Sequence, residues 1–188
     1  MGNESYIKEI KFLKECALIG IAIIFLLGSL WHFIYALSGE SLIIGLIAPV
    51  NESVWEHLKL AFFPTIIWWV FCYICSYKKN NISITQWIIS AMSASLISPL
   101  FILSFYYIYT GIFGIHSILL DILSLLIGIA IAQVKAIHIY KNPKSKIHFY
   151  LTVAVFVIIF MCFVIFTFNA PHLPLFHDAL TGNYGISV

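Results

Sequence analysis

Long apolar runs alternate with short polar segments along almost the whole chain. Each long run reaches the roughly 20 residues that a helix needs to cross the hydrocarbon core of a bilayer. Such spans are helical because a helix satisfies its backbone hydrogen bonds internally. The pattern predicts one all-α integral membrane domain, 1–188, with five transmembrane helices at about 16–37, 53–77, 84–109, 117–140 and 148–168.

Two other segments are too short or too polar to cross a bilayer. Residues 41–50 are apolar and include Pro49, and we expect them to lie as a loop at the membrane interface. The tail, 169–188, contains several Pro, Gly and His residues, and Phe176 offers it an apolar anchor. We expect this tail to fold back over the helix bundle.

The composition excludes a soluble fold. Hydrophobic residues make up 62% of the chain and charged residues 10%, whereas about a quarter of the residues of a soluble domain are charged. We therefore expect the lipid bilayer as the main partner and no nucleic acid. The cysteines do not indicate a disulfide framework, because Cys72 and Cys75 lie inside one apolar run.

The lysines lie almost entirely on one side of the predicted topology. The N-terminal segment, the turn at 78–81 and the loop at 141–147 share that side, which holds all of the ten Lys and Arg residues except Lys59. By the positive-inside rule, the N-terminus is cytoplasmic and the C-terminus lies outside the plasma membrane.

Residues 50–59 concentrate charge between two apolar runs, because they contain Glu52, Glu56, His57 and Lys59. A rotation of 100° per residue places Glu52, Glu56 and Lys59 on one side of the second helix, and His57 about a quarter-turn away. Lys59 is the only Lys or Arg expected on this membrane face. We therefore expect Lys59 to bond to Glu56 or to a carboxylate of the tail.

The segment Ser53-Val54-Trp55-Glu56 also has the form of a capping box. In a capping box the serine caps the first helical turn, and the glutamate bonds back to the backbone. Glu56 therefore has a purely structural interpretation beside the functional one.

Further acids and imidazoles are expected at the same face. His32 and Tyr35 lie on the first predicted helix, Asp121 lies on the fourth, and the tail contributes Asp178 and Tyr184. An acid inside a membrane is costly and usually faces the bundle interior or a wet cavity. The alternative to a functional role for Asp121 and His32 is that each makes a hydrogen bond that only stabilises the packing of the helices.

Several motifs together resemble the domain of unknown function 6512 family, a family of uncharacterised bacterial multi-pass membrane proteins. The motifs are His32-Phe33-x-Tyr35, the 50–59 segment, Leu120-Asp121-Ile122, Pro171-x-Leu173-Pro174-Leu175-Phe176-x-Asp178 and Tyr184-Gly185-Ile186. The resemblance implies a membrane location and a similar number of helices, but no activity. It also implies that His116, His172 and His177 are not fixed as histidine, which speaks against a metal site built from those three.

The polar residues favour a membrane-embedded enzyme at the outer face, either a hydrolase or an acyl or phosphoryl transferase acting on lipid. Side chains of His, Glu and Asp are the usual groups for general acid–base catalysis. The candidate catalytic residues are His32, Glu52, Glu56, His57 and Asp121. The candidate substrate-binding or supporting residues are Tyr35, Lys59, Asp178 and Tyr184.

A divalent metal such as zinc is a possible cofactor, with His32, His57 and Asp121 as its ligands. Imidazole and carboxylate groups are both zinc ligands. The sequence contains no His-Glu-x-x-His spacing, so the spacing of these residues does not itself support a metal.

Two other functions compete with an enzyme. In a non-catalytic assembly or partner-binding protein, the polar cluster would hold the tail and the 41–50 loop in place. In a small proton-coupled transporter, acid and histidine pairs would relay protons. The chain has no internal repeat, so a homodimer would have to supply the symmetry that many transporters have.

Cysteine labelling in intact cells tests the predicted topology. A membrane-impermeant reagent should label a cysteine placed in the 169–188 tail but not one placed in the 141–147 loop, and the unaltered chain controls for its own four cysteines. The reverse pattern would contradict both the orientation and the outer-face site.

Overall fold

Long helices run alternately up and down in the computed structural model, which describes residues 2–76, 82–143 and 146–186. In chain order the helices are α1 (Gly2–Trp31), α2 (Ile34–Leu37), α3 (Leu42–Gly45), α4 (Val54–His57), α5 (Lys59–Ser76), α6 (Ile84–Phe113), α7 (Ile118–Lys141) and α8 (Lys146–Phe168), followed by a 3-10 turn at Pro174–Phe176. The described residues form no β-strand, although His177 and Tyr184 form an isolated bridge. The predicted all-α class is confirmed.

Four helical segments of the described chain are long and apolar enough to cross a membrane. They are Val54–Ser76, Ile84–Phe113, Ile118–Lys141 and His148–Phe168. Helix α1 is different, because its first half carries charged residues and only the part from Cys16 onward is uncharged. A fifth crossing, by α1, stays a prediction.

The first helix begins and ends earlier than the sequence pattern predicts. It starts at Gly2 instead of near residue 16, and it stops at Trp31 instead of continuing to Leu37. At its end the Phe33 N–H bonds to the Leu30 carbonyl at 3.1 Å. This tighter i→i+3 turn terminates the helix and leaves His32 at the end of α1.

The helices α1, α5, α6 and α7 pack as a closed group of four. Both α1 and α6 pack against α5 and α7, and α8 lies against α6. Ring contacts also join α8 to α5, with 5.3 Å between the centroids of Phe62 and Phe156 and 5.9 Å between those of Phe63 and Phe160.

A glycine brings α1 close to α5. A Cβ atom on Gly28 would lie 2.6 Å from the Leu60 carbonyl oxygen, so no side chain fits there. Small residues allow membrane helices to approach in this way. Because His32 follows one turn later on the same side of α1, this contact places His32 beside the beginning of α5.

One end of the bundle is formed by the first part of α1, the start of α6 and the end of α7. Trp87 and Tyr140 pack there, and the Tyr140 hydroxyl donates to the Glu9 carboxylate. The same carboxylate accepts the Ser83 N–H at 3.2 Å. These three helix ends thus lie together, whereas the predicted turn at 78–81 lies outside the described residues. The side of a membrane that this end faces stays a prediction.

At the other end, aromatic side chains from α4, α8 and the tail form a second core. The Trp55 ring centroid lies 4.9 Å from that of Phe163 and 5.1 Å from that of Phe176. The Ile186 N–H donates to the Thr167 carbonyl at 2.9 Å. The predicted fold-back of the tail is confirmed.

The 41–50 segment, which includes α3, lies at this same end of the bundle. Its Ala48 and Pro49 are buried, and its Leu42 and Ile43 are exposed. The segment therefore packs against the bundle on one side and presents apolar side chains on the other. Its place at a membrane interface stays a prediction.

Gly185→Ala tests how the tail is seated, with Gly182→Ala as its control. Both glycines have left-handed backbones (φ 64° and 75°), where an alanine costs about 1–2 kcal/mol. Only at Gly185 would a Cβ meet another atom, the Thr167 carbonyl oxygen at 2.7 Å. We expect Gly185→Ala to release the tail to chymotrypsin several times faster than Gly182→Ala does. Equal cleavage rates would show that the tail is held elsewhere.

Candidate functional site

Lys59 is fully buried and uses all three of its ammonium protons. Its Nζ donates to the Glu56 carboxylate at 2.6 Å and to the Thr167 hydroxyl at 2.7 Å. It also donates to the Gly45 carbonyl at 2.9 Å, and the Ala48 carbonyl lies 3.4 Å away. Three short bonds satisfy an ammonium group, which has three donors and no acceptor. The predicted pairing of Lys59 with Glu56 is confirmed.

The Glu56 carboxylate is shared between Lys59 and the backbone. Its Oε2 also accepts the Val50 N–H at 3.1 Å, and its buried Oε1 has no hydrogen-bond partner within the described chain. The Ser53 hydroxyl accepts the Glu56 N–H at 3.3 Å, but the Ser53 N–H donates to Asn51 at 3.0 Å. The predicted capping box is therefore only half formed, because the ammonium group takes the carboxylate that would complete it.

The ion pair joins three segments that are far apart in sequence. Thr167 accepts a bond from Lys59 and donates its own hydroxyl proton to the Phe163 carbonyl at 2.7 Å. Asn51 donates to the Gly185 carbonyl at 3.0 Å. The 41–50 segment and the end of α8 thus meet at Lys59, and Asn51 binds the tail next to them. Thr167 and Asn51 are not among the predicted site residues, although Thr167 stands out as a polar residue near the end of an apolar run.

Glu52 does not join this pair. It precedes α4, since Ser53 is the N-cap and has an extended backbone (φ −71°, ψ 152°). The 100° rotation per residue begins only after the cap, so it cannot locate Glu52. The prediction that Glu52, Glu56 and Lys59 share one side is wrong.

Glu52 instead meets two imidazoles, and we call His32, Glu52 and His57 the open cluster. The His57 Nε2 lies 3.3 Å from Oε2 of Glu52, and the His32 Nε2 lies 3.5 Å from Oε1. The two Nε2 atoms are 3.2 Å apart. The side chains of Glu52, His57 and His32 are 41%, 32% and 30% exposed, in contrast to the buried Lys59–Glu56 pair.

The second ring nitrogen of His57 determines what its Nε2 can do. Nδ1 lies 2.9 Å from the Ser53 carbonyl oxygen, which can only accept a hydrogen bond, so Nδ1 carries a proton. Nε2 therefore either carries the extra proton of an imidazolium or presents a lone pair to Glu52 and His32. The open cluster needs a proton or a cation at its centre. The hydrogen bond between Glu52 and His57 lowers the pKa of the Glu52 carboxyl.

The open cluster lines a cavity of about 600 Å³. Cavities of roughly 300–1,000 Å³ hold small-molecule ligands. Most of the other lining side chains are apolar and come from α4, α5, α6 and α7; they include Val54, Leu60, Ile102, Ile118, Ile122 and Leu125. The site thus combines apolar walls with one polar patch.

Asp121 lines the same cavity, but it is bonded elsewhere. Its Oδ1 accepts the Tyr109 hydroxyl at 2.7 Å. Within the described chain, the group whose ligand atoms all lie within 4.8 Å of one another is His32, Glu52 and His57. The structure therefore brings the predicted histidines together with Glu52, and it leaves Asp121 as a neighbour in the cavity.

The other predicted supporting residues make different contacts. Tyr35 is half-buried beside α3. Asp178 accepts the Thr181 hydroxyl at 2.7 Å, and Tyr184 stacks on His172 with 4.5 Å between ring centroids. These contacts order the tail, and they do not bring Asp178 or Tyr184 to the open cluster.

A match to a known protein family includes both the Lys59–Glu56 pair and the open cluster. Residues 5–186 match the family model described as a family of unknown function, DUF6512. The chain belongs to DUF6512. No similar protein was found among curated proteins or among solved structures. The DUF6512 match extends over the buried pair, the open cluster and the tail, so all three lie within the family's extent.

Lys59→Ala tests the buried pair, since it leaves the Glu56 carboxylate without its partner. Breaking a buried ion pair from one side costs about 3–5 kcal/mol, so we expect a large fall in unfolding temperature, measured by tryptophan fluorescence in detergent. Lys59→Ala/Glu56→Gln removes both charges and should recover part of the loss.

Lys11→Ala is the matched control. The Lys11 side chain is 77% exposed and lies 3.9 Å from Glu15, and exposed pairs contribute little. Equal unfolding temperatures for Lys59→Ala and Lys11→Ala would contradict the structural role of Lys59.

Proposed function

We propose that this DUF6512 protein is a membrane-embedded hydrolase or transferase that acts on a lipid at the extracytoplasmic face of the plasma membrane. The observation that carries the proposal is the convergence of His32, Glu52 and His57 on the wall of a mostly apolar cavity. The Lys59–Glu56 pair already ties the fold together at this end. The open cluster is therefore available to a molecule that enters the cavity.

The reaction that fits these groups is attack by water or a hydroxyl group on an ester of the lipid. A basic group of the open cluster takes the proton of the attacking oxygen, which bonds to the acyl carbon or to phosphorus. The bond to the ester oxygen breaks, and that oxygen receives a proton from the cluster. Water as the attacking group gives hydrolysis, and a second hydroxyl compound gives transfer.

The lining of the cavity supports an amphiphilic substrate. Its apolar side chains would surround an acyl chain, while the open cluster and Asp121 would lie near the reacting ester. The lining residues, all from the described ranges, include neither Lys nor Arg. An anionic head group would therefore need a bound cation, and an uncharged ester would not.

The other predicted catalytic group, Glu56, has a structural role in this proposal. It is 1% exposed and bonds to Lys59, so a substrate in the cavity does not reach it. Asp121, which the Tyr109 hydroxyl holds in place, is assigned to positioning the substrate.

Two further points concern location and assembly. The lysine distribution supports the extracytoplasmic side, because Lys59 is the only Lys or Arg among the described residues at the end that carries the site. All three members of the open cluster belong to one chain, so the proposed site does not require a homodimer.

Lipid turnover by the purified protein tests the proposal. We expect protein in nanodiscs made from a total bacterial lipid extract to convert at least one lipid class, as followed by mass spectrometry. Loss of a general acid–base group typically reduces the rate by roughly 10²–10⁴-fold, so His57→Ala should lose most of the activity. His172→Ala, which alters an exposed histidine of the tail, should retain it.

Two results would overturn the proposal. One is no conversion of any lipid by the folded wild-type protein, which would favour the partner-binding or transporter alternatives. The other is equal turnover by His57→Ala and His172→Ala, which would place the reaction away from the open cluster.

A further inference from the structure

We infer that the open cluster is a divalent-metal site of the zinc type, with His32 Nε2, His57 Nε2 and the Glu52 carboxylate as ligands and one position open to the cavity. The inference deepens the proposed function and rests on it: with all three groups bound to the ion, water activated by the metal would replace the free basic group of the cluster. Metal binding itself is measured without any substrate.

The two imidazole nitrogens are as far apart as two ligands of a tetrahedral ion, and the Glu52 carboxylate lies next to both of them. Zinc binds imidazole nitrogen at about 2.0–2.1 Å, which separates two tetrahedral ligand atoms by roughly 3.3 Å. In the open cluster the His32 and His57 Nε2 atoms are 3.2 Å apart. Oε2 of Glu52 lies 3.3 Å from the His57 nitrogen, and Oε1 lies 3.5 Å from the His32 nitrogen. One ligand atom from each of the three residues lies within 4.8 Å of the other two. An ion therefore fits between the donors with little movement of the side chains.

The bond to Ser53 holds His57 in the form that a metal requires. Nδ1 donates to the Ser53 carbonyl at 2.9 Å, so a neutral ring has its lone pair on Nε2. Histidines that bind metals usually donate their other N–H to a carbonyl or carboxylate in this way. Ser53 is itself held by the bond from its N–H to Asn51 at 3.0 Å.

The arrangement of α1 against α5 provides the second imidazole. The close contact of Gly28 with the Leu60 carbonyl brings the end of α1 to the beginning of α5. His32, one turn beyond Gly28, thereby reaches the Nε2 of His57, although the two histidines are 25 residues apart. The ligands thus come from parts of the chain whose relative position is determined by backbone packing.

The charges in the cavity also favour a cation. Glu52 and Asp121 both line it, while no Lys or Arg does so among the described residues. A divalent ion would offset these two carboxylates. Three protein ligands with a fourth position open are typical of catalytic zinc sites, where the metal lowers the pKa of bound water to about 7.

Metal analysis of protein purified through a tag that lacks histidine tests the inference. We expect wild-type protein that has been incubated with Zn²⁺ and desalted to retain about one zinc per chain. Co²⁺ in place of Zn²⁺ should give the intense visible absorption of a four-coordinate ion. His32→Gln and His57→Gln should each lose most of the metal, whereas His116→Ala, at another histidine of the same cavity, should retain it.

The outcomes separate this inference from the proposed function. Zinc retained equally by wild-type protein and the two ligand variants, or by none of them, would overturn the metal site. If zinc is bound as expected but the loaded protein converts no lipid, the metal site stands and the proposed function fails. If lipid is converted in the presence of a chelator and no zinc is retained, the proposed function stands and the metal site fails.

Discussion

The buried ammonium group of Lys59 is the constraint on which this end of the molecule depends. A charge in the interior of an apolar bundle costs several kcal/mol unless a counter-ion and hydrogen bonds compensate it. The Lys59 ammonium obtains both from groups in separate segments, because Glu56, Thr167 and Gly45 each accept one of its protons. The loop before α4 and the end of α8 must therefore stay beside Lys59 for the charge to remain buried.

The burial of Lys59 gives different roles to the two glutamates of the 50–59 segment, Glu52 and Glu56. Lys59 and Val50 hold the Glu56 carboxylate inside the protein. Ser53 caps α4 and leaves Glu52 outside the helix, where Glu52 meets His57 and His32. Glu52 faces a cavity, whereas Glu56, four positions later, stabilises the fold. The open cluster can stay exposed because the contacts among Lys59, Glu56 and Thr167 stabilise this end of the fold.

Helical periodicity and charge spacing predicted a large part of this arrangement. The apolar runs indicate the long helices, and a lysine three residues after Glu56 on an otherwise lysine-free face predicts the ion pair. Phe176 and the prolines beside it predict a tail that packs on the bundle. Each of these features depends on residues that are close in sequence or on the simple need to bury apolar surface.

The remaining features of the site depend on where the helices begin and end, and the apolar pattern does not show those positions. The side on which Glu52 lies follows from the extended backbone of Ser53. The pairing of His32 with His57 follows from the early end of α1 and from the contact between Gly28 and Leu60. The role of Thr167 follows from the position of α8 beside α5. The His32–His57 pairing and the role of Thr167 depend on tertiary contacts, which no local spacing encodes.

The most direct test of this division makes one chemical change at two positions of the same motif. Glu52→Gln and Glu56→Gln each replace a carboxylate by an amide of nearly the same shape. The unfolding temperature of the metal-free protein and the zinc content of the folded protein should both be measured for each variant. The account predicts that Glu56→Gln lowers the unfolding temperature but retains zinc, and that Glu52→Gln keeps the unfolding temperature but loses zinc. If both variants change the same property to the same extent, the two carboxylates do not have separate roles, and the account is contradicted.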